Sequence, residues 1–129
     1  MSISNEKLLK MARKAMKNAY APYSGFRVGA ALLTESGKVY TGCNVENSSY
    51  GLTMCAERVA VFKAVSEGER NLVKIAIVSS SNELTFPCGA CRQVLYEFAD
   101  DMEIILEDKE GIHITHLKDL LPDGFRLKK

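Results

Sequence analysis

The chain has 129 residues, of which 47% are hydrophobic and 26% charged, with four cysteines and no tryptophan. This is the length of one domain, 1–129, with enough apolar surface to build a core without disulfide staples. Lys plus Arg number 17 against 16 Asp plus Glu, a formal charge of +1, which excludes the strong basic field of a polyanion-binding protein.

Residues Asn5 to Ala19 read as an amphipathic helix with a stripe at Leu8, Leu9, Ala12, Ala15 and Met16, ended by Pro22, Ser24 and Gly25. Glu6, Lys7, Lys10, Arg13, Lys14 and Lys17 interrupt this stretch too often for a signal peptide or a membrane span, so a cytoplasmic protein is expected. Phe26 to Leu33 is strand-like, Glu35-Ser36-Gly37-Lys38 is a hairpin turn, and Val39 to Gly42 is the returning strand. An Asn- and Ser-rich loop follows, from Cys43 to about Leu52. Thr53 is the expected N-cap of a helix running to Ser66, with Gly68 as its stop and Ala56, Val59, Ala60, Ala64 and Val65 on its buried face. Leu72 to Val78 is a continuous apolar run, the pattern of a central strand. Pro87 is expected to open a helix that continues from Cys88 to Phe98. Met102 to Leu106 and Ile112 to Thr115 are strands joined by the turn Asp108-Lys109-Glu110-Gly111, and a short helix at Leu117 to Leu120 precedes Pro122.

This alternation predicts an α/β layered fold around a mixed sheet. The two strand–helix–strand steps should be right-handed parallel crossovers, and the tightly joined last strands an antiparallel hairpin.

Chemistry concentrates in Cys55-Ala56-Glu57 and Pro87-Cys88-Gly89-Ala90-Cys91. Both cysteine groups fall at expected helix starts, where free N–H groups and the dipole favour thiolates. Cys88 and Cys91, three apart, share one side of a first turn, and Cys55 must come from the neighbouring helix. Three thiolates make a zinc-ligand set that leaves one tetrahedral position for water, and Glu57 stands where a general acid/base for that water belongs. Zinc deaminases of nucleobases use this constellation. Three thiolates also give the metal excess negative charge, so Arg58 and Arg92 are expected to donate hydrogen bonds to the sulfurs.

Other readings of the same residues stay open. Cys43 could complete a closed structural Cys₄ site, although its Gly-Cys-Asn setting lacks metal-type spacing and suits a small apolar filler. The Cys-x-x-Cys could be a redox pair, and a structural zinc module without activity has the same ligands. His113 and His116, the two histidines, lie far along the chain and read as non-ligands.

Beyond the zinc motif, five segments resemble the small, homotetrameric class of cytidine deaminases within the cytidine/deoxycytidylate deaminase superfamily. They are Tyr20-Ala21-Pro22-Tyr23-Ser24-Gly25-Phe26, Gly42-Cys43-Asn44-Val45-Glu46-Asn47, Thr53-Met54-Cys55-Ala56-Glu57-Arg58, Pro87-Cys88-Gly89-Ala90-Cys91-Arg92-Gln93, and Leu120-Leu121-Pro122-Asp123-Gly124-Phe125. The resemblance implies a three-layer α/β/α sandwich around a five-stranded mixed sheet. It also implies one Zn²⁺ per subunit on Cys55, Cys88 and Cys91, with Glu57 as proton shuttle. Asn44 and Glu46 would hold the ribose, chiefly its 3′-hydroxyl, Phe26 would stack near the pyrimidine, and the backbone of Ala56 would contact the base. Ser48, Tyr50 and Phe125 would reach a neighbouring subunit's site in a homotetramer.

The implied reaction is zinc-dependent hydrolytic deamination of cytidine and 2′-deoxycytidine in pyrimidine salvage, with no nucleic-acid or membrane partner. A carboxylate at position 46 would repel a 3′-phosphate, which favours free nucleosides. Deaminases of nucleoside antibiotics share the zinc site, but the Asn44/Glu46 pair favours cytidine. Nucleic-acid editors differ in their frequent first-ligand His and in a helix between their last strands. Gln93 is read as a helix-surface amide.

Overall fold

The structure, a computed structural model, describes residues 3–128. Helix α1 (Asn5–Met16) is followed by strands β1 (Val28–Thr34) and β2 (Val39–Cys43), a 3₁₀ turn at Tyr50–Leu52, and helix α2 (Ala56–Ser66). Strand β3 (Leu72–Ser79), helix α3 (Gly89–Tyr96), strands β4 (Glu103–Asp108) and β5 (Gly111–His116), and the short helix α4 (Leu117–Leu120) complete the order. No helix among the described residues is long and apolar enough to cross a membrane.

The five strands form one sheet in the order β2-β1-β3-β4-β5. β1 is antiparallel to both β2 and β3, so β2 and β3 run the same way with β1 between them. β3 and β4 are parallel neighbours, and β4 and β5 form the expected antiparallel hairpin. Both strand–helix–strand steps are therefore parallel crossovers, the first skipping over one strand.

Alternation along the strands divides the core. Ala31, Ala76, Val78 and Ile105 face α1, packing on Leu8, Leu9 and Ala12. Ala30, Leu32, Ile75, Ile77, Ile104 and Leu106 face the other way, beneath Ala60, Val61 and Ala64 of α2 and Leu95 of α3. All seven residues of β1 are buried, which explains why this strand is an apolar run rather than an alternation. Helices on both faces of a mixed sheet give the expected three-layer sandwich.

Two glycines set how closely helices approach the sheet. A Cβ on Gly29 would fall 2.1 Å from the Ala12 carbonyl oxygen of α1, and one on Gly42 would fall 2.5 Å from the Ala56 carbonyl oxygen of α2. The second contact seats the first turn of α2 directly on β2.

The structure corrects several expected boundaries. α1 stops at Met16 because Lys17, Asn18 and Ala19 donate to carbonyls three residues back, a tightening that closes the helix. Tyr20 then leaves to bridge Val45. Thr53 is not the cap of α2; Cys55 holds that position, and the Thr53 hydroxyl instead accepts from the Asn47 N–H at 3.1 Å. Pro87 lies one residue before the cap of α3, which is Cys88, and that helix ends at Tyr96 rather than Phe98. The 3₁₀ turn at Tyr50–Leu52 lies inside what the sequence reads as loop.

Candidate active site

Cys55 and Cys88 are N-cap residues of α2 and α3, and Cys91 lies in the first turn of α3. The chain entering α2 is fixed by a short ladder, in which Val45 and Met54 exchange backbone hydrogen bonds of 3.0 and 2.9 Å. The sulfurs of Cys55, Cys88 and Cys91 all lie within 4.8 Å of one another, with 3.9 Å between Cys55 and Cys88 and 3.5 Å between Cys88 and Cys91. Tetrahedral zinc with Zn–S bonds of about 2.3 Å separates its sulfurs by roughly 3.8 Å. The donor set therefore fits zinc in both chemistry and spacing. Cys43, at the end of β2, is not part of this group. His113 and His116, both on β5, pair with Asp108 at the end of β4 and with Asp101 just before it, and also stay outside the group.

Electrostatics without metal show a site short of positive charge. The Cys55 thiol is pulled down to about 5, first by its hydrogen bond with Cys91 and then by Arg58, whose Nη2 donates to its sulfur at 3.3 Å. Cys91 moves the opposite way, raised by the same bond, by burial and by the Glu57 carboxylate. One thiolate and one thiol sharing a proton is the consistent state of this pair, with Cys55 ionised. Glu57 is 4% exposed. Burial pushes its carboxyl up to about 7, and the charge of Cys55 adds to the rise.

Arg58 thus donates to the sulfur of Cys55, one of the three that could hold the metal. Its Nε is buried without a partner. Arg92 does not join it. Its Nε donates to the Pro87 carbonyl at 2.7 Å and its Nη1 to the Leu120 carbonyl at 2.9 Å. The guanidinium fastens the turn before Cys88 to the end of α4, because two carbonyls lie within its fork and no sulfur does. Gln93, read as a surface amide, donates to the Phe125 carbonyl at 3.1 Å and so ties the C-terminal segment to α3.

A second group lies beside the metal-ligand set. Residues 44–46 run between two neighbours: Tyr20 donates to the Asn44 carbonyl and Glu46 donates to the Tyr20 carbonyl, while Val45 pairs with Met54. This extended course puts Asn44 and Glu46, two apart, on one side. Asn44 is 8% exposed. Its Oδ1 accepts from the Val28 N–H at 2.9 Å and its Nδ2 donates to the Phe26 carbonyl at 2.8 Å, leaving one amide N–H for a ligand. Glu46 Oε1 accepts from the N–H groups of Tyr23 and Ser24 at 2.9 and 3.1 Å, and its Oε2 accepts from the Ser24 hydroxyl. These bonds, the Ser24 hydroxyl foremost, hold the Glu46 carboxyl below its ordinary range.

Glu46, Tyr23, Ser24, Tyr50 and Thr53 line an open cavity of about 390 Å³. Tyr50, expected to serve a neighbouring copy, lines this chain's own cavity, its ring 6.2 Å from that of Tyr23. The Tyr23 hydroxyl meets the Ser48 hydroxyl at 2.7 Å. Phe26 is partly exposed beside this group, and Ala56 is fully buried at the start of α2. Phe125 is 66% exposed and lines none of this cavity. Tyr23, Ser24 and Thr53 carry no binding role in the sequence reading. Pro22-Tyr23-Ser24-Gly25 is a turn composition, and that was the available signal.

An α/β/α sandwich that brings three thiolates and a buried carboxylate together at two helix starts defines a zinc-dependent deaminase fold. Residues 2–107 match the family model described as cytidine and deoxycytidylate deaminase zinc-binding region. The chain belongs to this cytidine and deoxycytidylate deaminase family. It is 50% identical to a cytidine deaminase of Sporosarcina psychrophila over 122 residues, covering 93% of this chain and 90% of that protein. It is 48% identical to one of Halalkalibacterium halodurans, covering 95% of each. The crystal structure of cytidine deaminase from Burkholderia pseudomallei superposes with a TM-score of 0.90 at 46% identity, covering 95% of this chain and 100% of that one.

Proposed function

We propose that this chain is a cytidine deaminase that converts cytidine and 2′-deoxycytidine, with water, to uridine and 2′-deoxyuridine plus ammonia. The observation that carries the reading is Glu57, a buried carboxyl pushed up to about 7 beside three sulfurs spaced for zinc. Relatives of about half-identical sequence carry the same name over nearly the whole chain.

Cys55, Cys88 and Cys91 would hold zinc, which would supply Lewis-acid activation of the attacking water. Glu57 does the proton work: it accepts a proton from that water and delivers it to N3 of the ring, then accepts the second proton, from the hydroxyl now on C4, and delivers it to the departing amine, which leaves as ammonia. A carboxyl near neutrality is suited to act first as base and then as acid. Arg58 draws charge from the Cys55 sulfur, which keeps a three-thiolate metal electrophilic. Asn44 offers its remaining N–H, and Glu46 its remaining lone pairs, to the ribose 3′-hydroxyl. A hydroxyl is donor and acceptor at once, so one group satisfies both side chains. Phe26 gives the ring a face, and the backbone at Ala56 contacts the base.

The whole chain acts as one catalytic domain in the cytoplasm, in pyrimidine salvage. It assembles as a homotetramer, to which Phe125, Ser48 and Tyr50 contribute across interfaces. Exposed Tyr50, Leu52, Phe62, Phe125 and Leu127 support this assembly, because large apolar groups left exposed in one chain favour burial by a second copy.

The test is loss of cytidine absorbance on adding zinc-loaded protein, with ammonia counted in parallel. Equal amounts of uridine and ammonia are expected. Folded, zinc-loaded protein that leaves both cytidine and 2′-deoxycytidine intact overturns the reading. Sedimentation of the same sample reports the assembly.

A further inference from the structure

Glu46 is held asymmetrically. Two backbone N–H groups occupy Oε1, whereas Oε2 receives one hydroxyl, that of Ser24, and keeps its remaining lone pairs toward the cavity that both residues line. The direction of the Ser24 hydroxyl is determined. Its oxygen accepts from the Phe26 N–H at 3.0 Å, an amide that has no other role than donor. The ionised Glu46 has only acceptors to offer. The single hydroxyl proton must therefore go to Glu46, and none remains for a ligand.

The same strand of interactions continues past Phe26. Its carbonyl accepts from Asn44 Nδ2, and Asn44 Oδ1 accepts from Val28 at the start of β1. Phe26, Asn44 and Glu46 come from two separate loops, yet one continuous path joins them, and Ser24 is its link between the carboxylate and the aromatic residue. The neighbouring Gly25 has φ +71°, a left-handed conformation that glycine adopts without strain, in the turn across which the Phe26 N–H reaches back to the Ser24 hydroxyl.

We propose that Ser24 is a positioning residue for nucleoside binding: its hydroxyl fixes the free oxygen of Glu46 relative to Phe26, so that sugar and base are held as one unit. The inference rests on the cytidine deaminase reading above. It assigns Ser24 no contact with the reacting atoms.

The experiment compares wild type, Ser24→Ala and Ser24→Thr as zinc-loaded proteins on 2′-deoxycytidine and on 2′,3′-dideoxycytidine, which lacks the hydroxyl that Glu46 would bind. On 2′-deoxycytidine, Ser24→Ala should raise KM about tenfold, at the low end for a hydrogen bond to a charged group because Oε1 stays anchored, while kcat changes less than about twofold. On the dideoxynucleoside the loss in kcat/KM should shrink to less than about twofold, since Oε2 has nothing left to position. Ser24→Thr should restore most of the KM. Equal losses on both substrates would show a general scaffold role and overturn the proposal, as would an unchanged KM. Wild type inactive on both nucleosides would sink the cytidine reading itself, an outcome separate from an active wild type that Ser24→Ala leaves untouched.

Discussion

The metal end of this site and the end proposed to hold the sugar are built on different principles. Cys55, Cys88 and Cys91 sit at the starts of two regular helices. Backbone periodicity places them there, and the helix ends supply the electrostatics. Asn44 and Glu46 sit in irregular chain, aimed by hydrogen bonds accepted from Tyr23, Ser24 and Val28 and donated to the Phe26 carbonyl, all some 20 residues earlier. A site can therefore be half secondary structure and half network. Substitution should affect the two halves differently: ligand changes at the metal end act all or none, whereas changes in the network should be graded.

The largest effects belong to the metal end. Cys91→Ala removes a fully buried ligand and should abolish zinc retention and turnover together, measured by metal analysis and ammonia release. Glu57→Gln should separate the two properties: zinc stays, and kcat falls by about 10²–10⁴-fold, the range for a general acid/base. Turnover near wild type in that variant would remove Glu57 from the mechanism.

The sugar end should respond less steeply. Asn44→Ala leaves the Val28 N–H and the Phe26 carbonyl without partners. It should cost about 2–3 kcal/mol of stability in denaturant titration, as well as raise KM. Loss of KM with unchanged stability would show that the network is less rigid than its bonds suggest.

The proton inventory sharpens the comparison from another side. Without metal, Cys55 is already ionised above about pH 5, whereas the Cys91 thiol is held protonated above its ordinary range. Zinc must displace the Cys91 proton and none from Cys55, so affinity should rise with pH across neutrality with proton release. Calorimetry in two buffers of different ionisation enthalpy counts those protons; a pH-independent affinity would contradict the shared-proton state. The smallest effect is expected at Thr53→Ala. A true helix cap would cost about 1 kcal/mol, but here only an exposed bond from Asn47 is lost, so about half of that or less should appear in thermal unfolding.

Legibility in the sequence follows the same division. The strands β1 and β3 and the existence of helices beginning near the two cysteine groups are readable because apolar runs and ligand spacing are local properties. Glu57 is readable for the same reason, being fixed by its distance from Cys55. The errors at Thr53 and Pro87 share a cause, since in each case a cysteine took the cap position that composition assigns elsewhere. The partners of Arg92 and Gln93, Leu120 and Phe125, are not legible because they lie about 30 residues further on. Ser24 reads only as a turn residue, because a serine in a Pro-Tyr-Ser-Gly turn looks complete without a distant carboxylate.

The close seat of α2 on Gly42 gives the site a fixed gauge. One backbone contact, Gly42 against Ala56, lies two residues from Asn44 and one from Cys55. The two ends of the binding site are thus measured off from a single point where main chain meets main chain, with no side chain between to compress or lengthen. Length in this site is a property of the scaffold. Altering it would require moving a helix rather than exchanging a residue, so engineering for longer or shorter ligands has little room along that axis and must work through the walls.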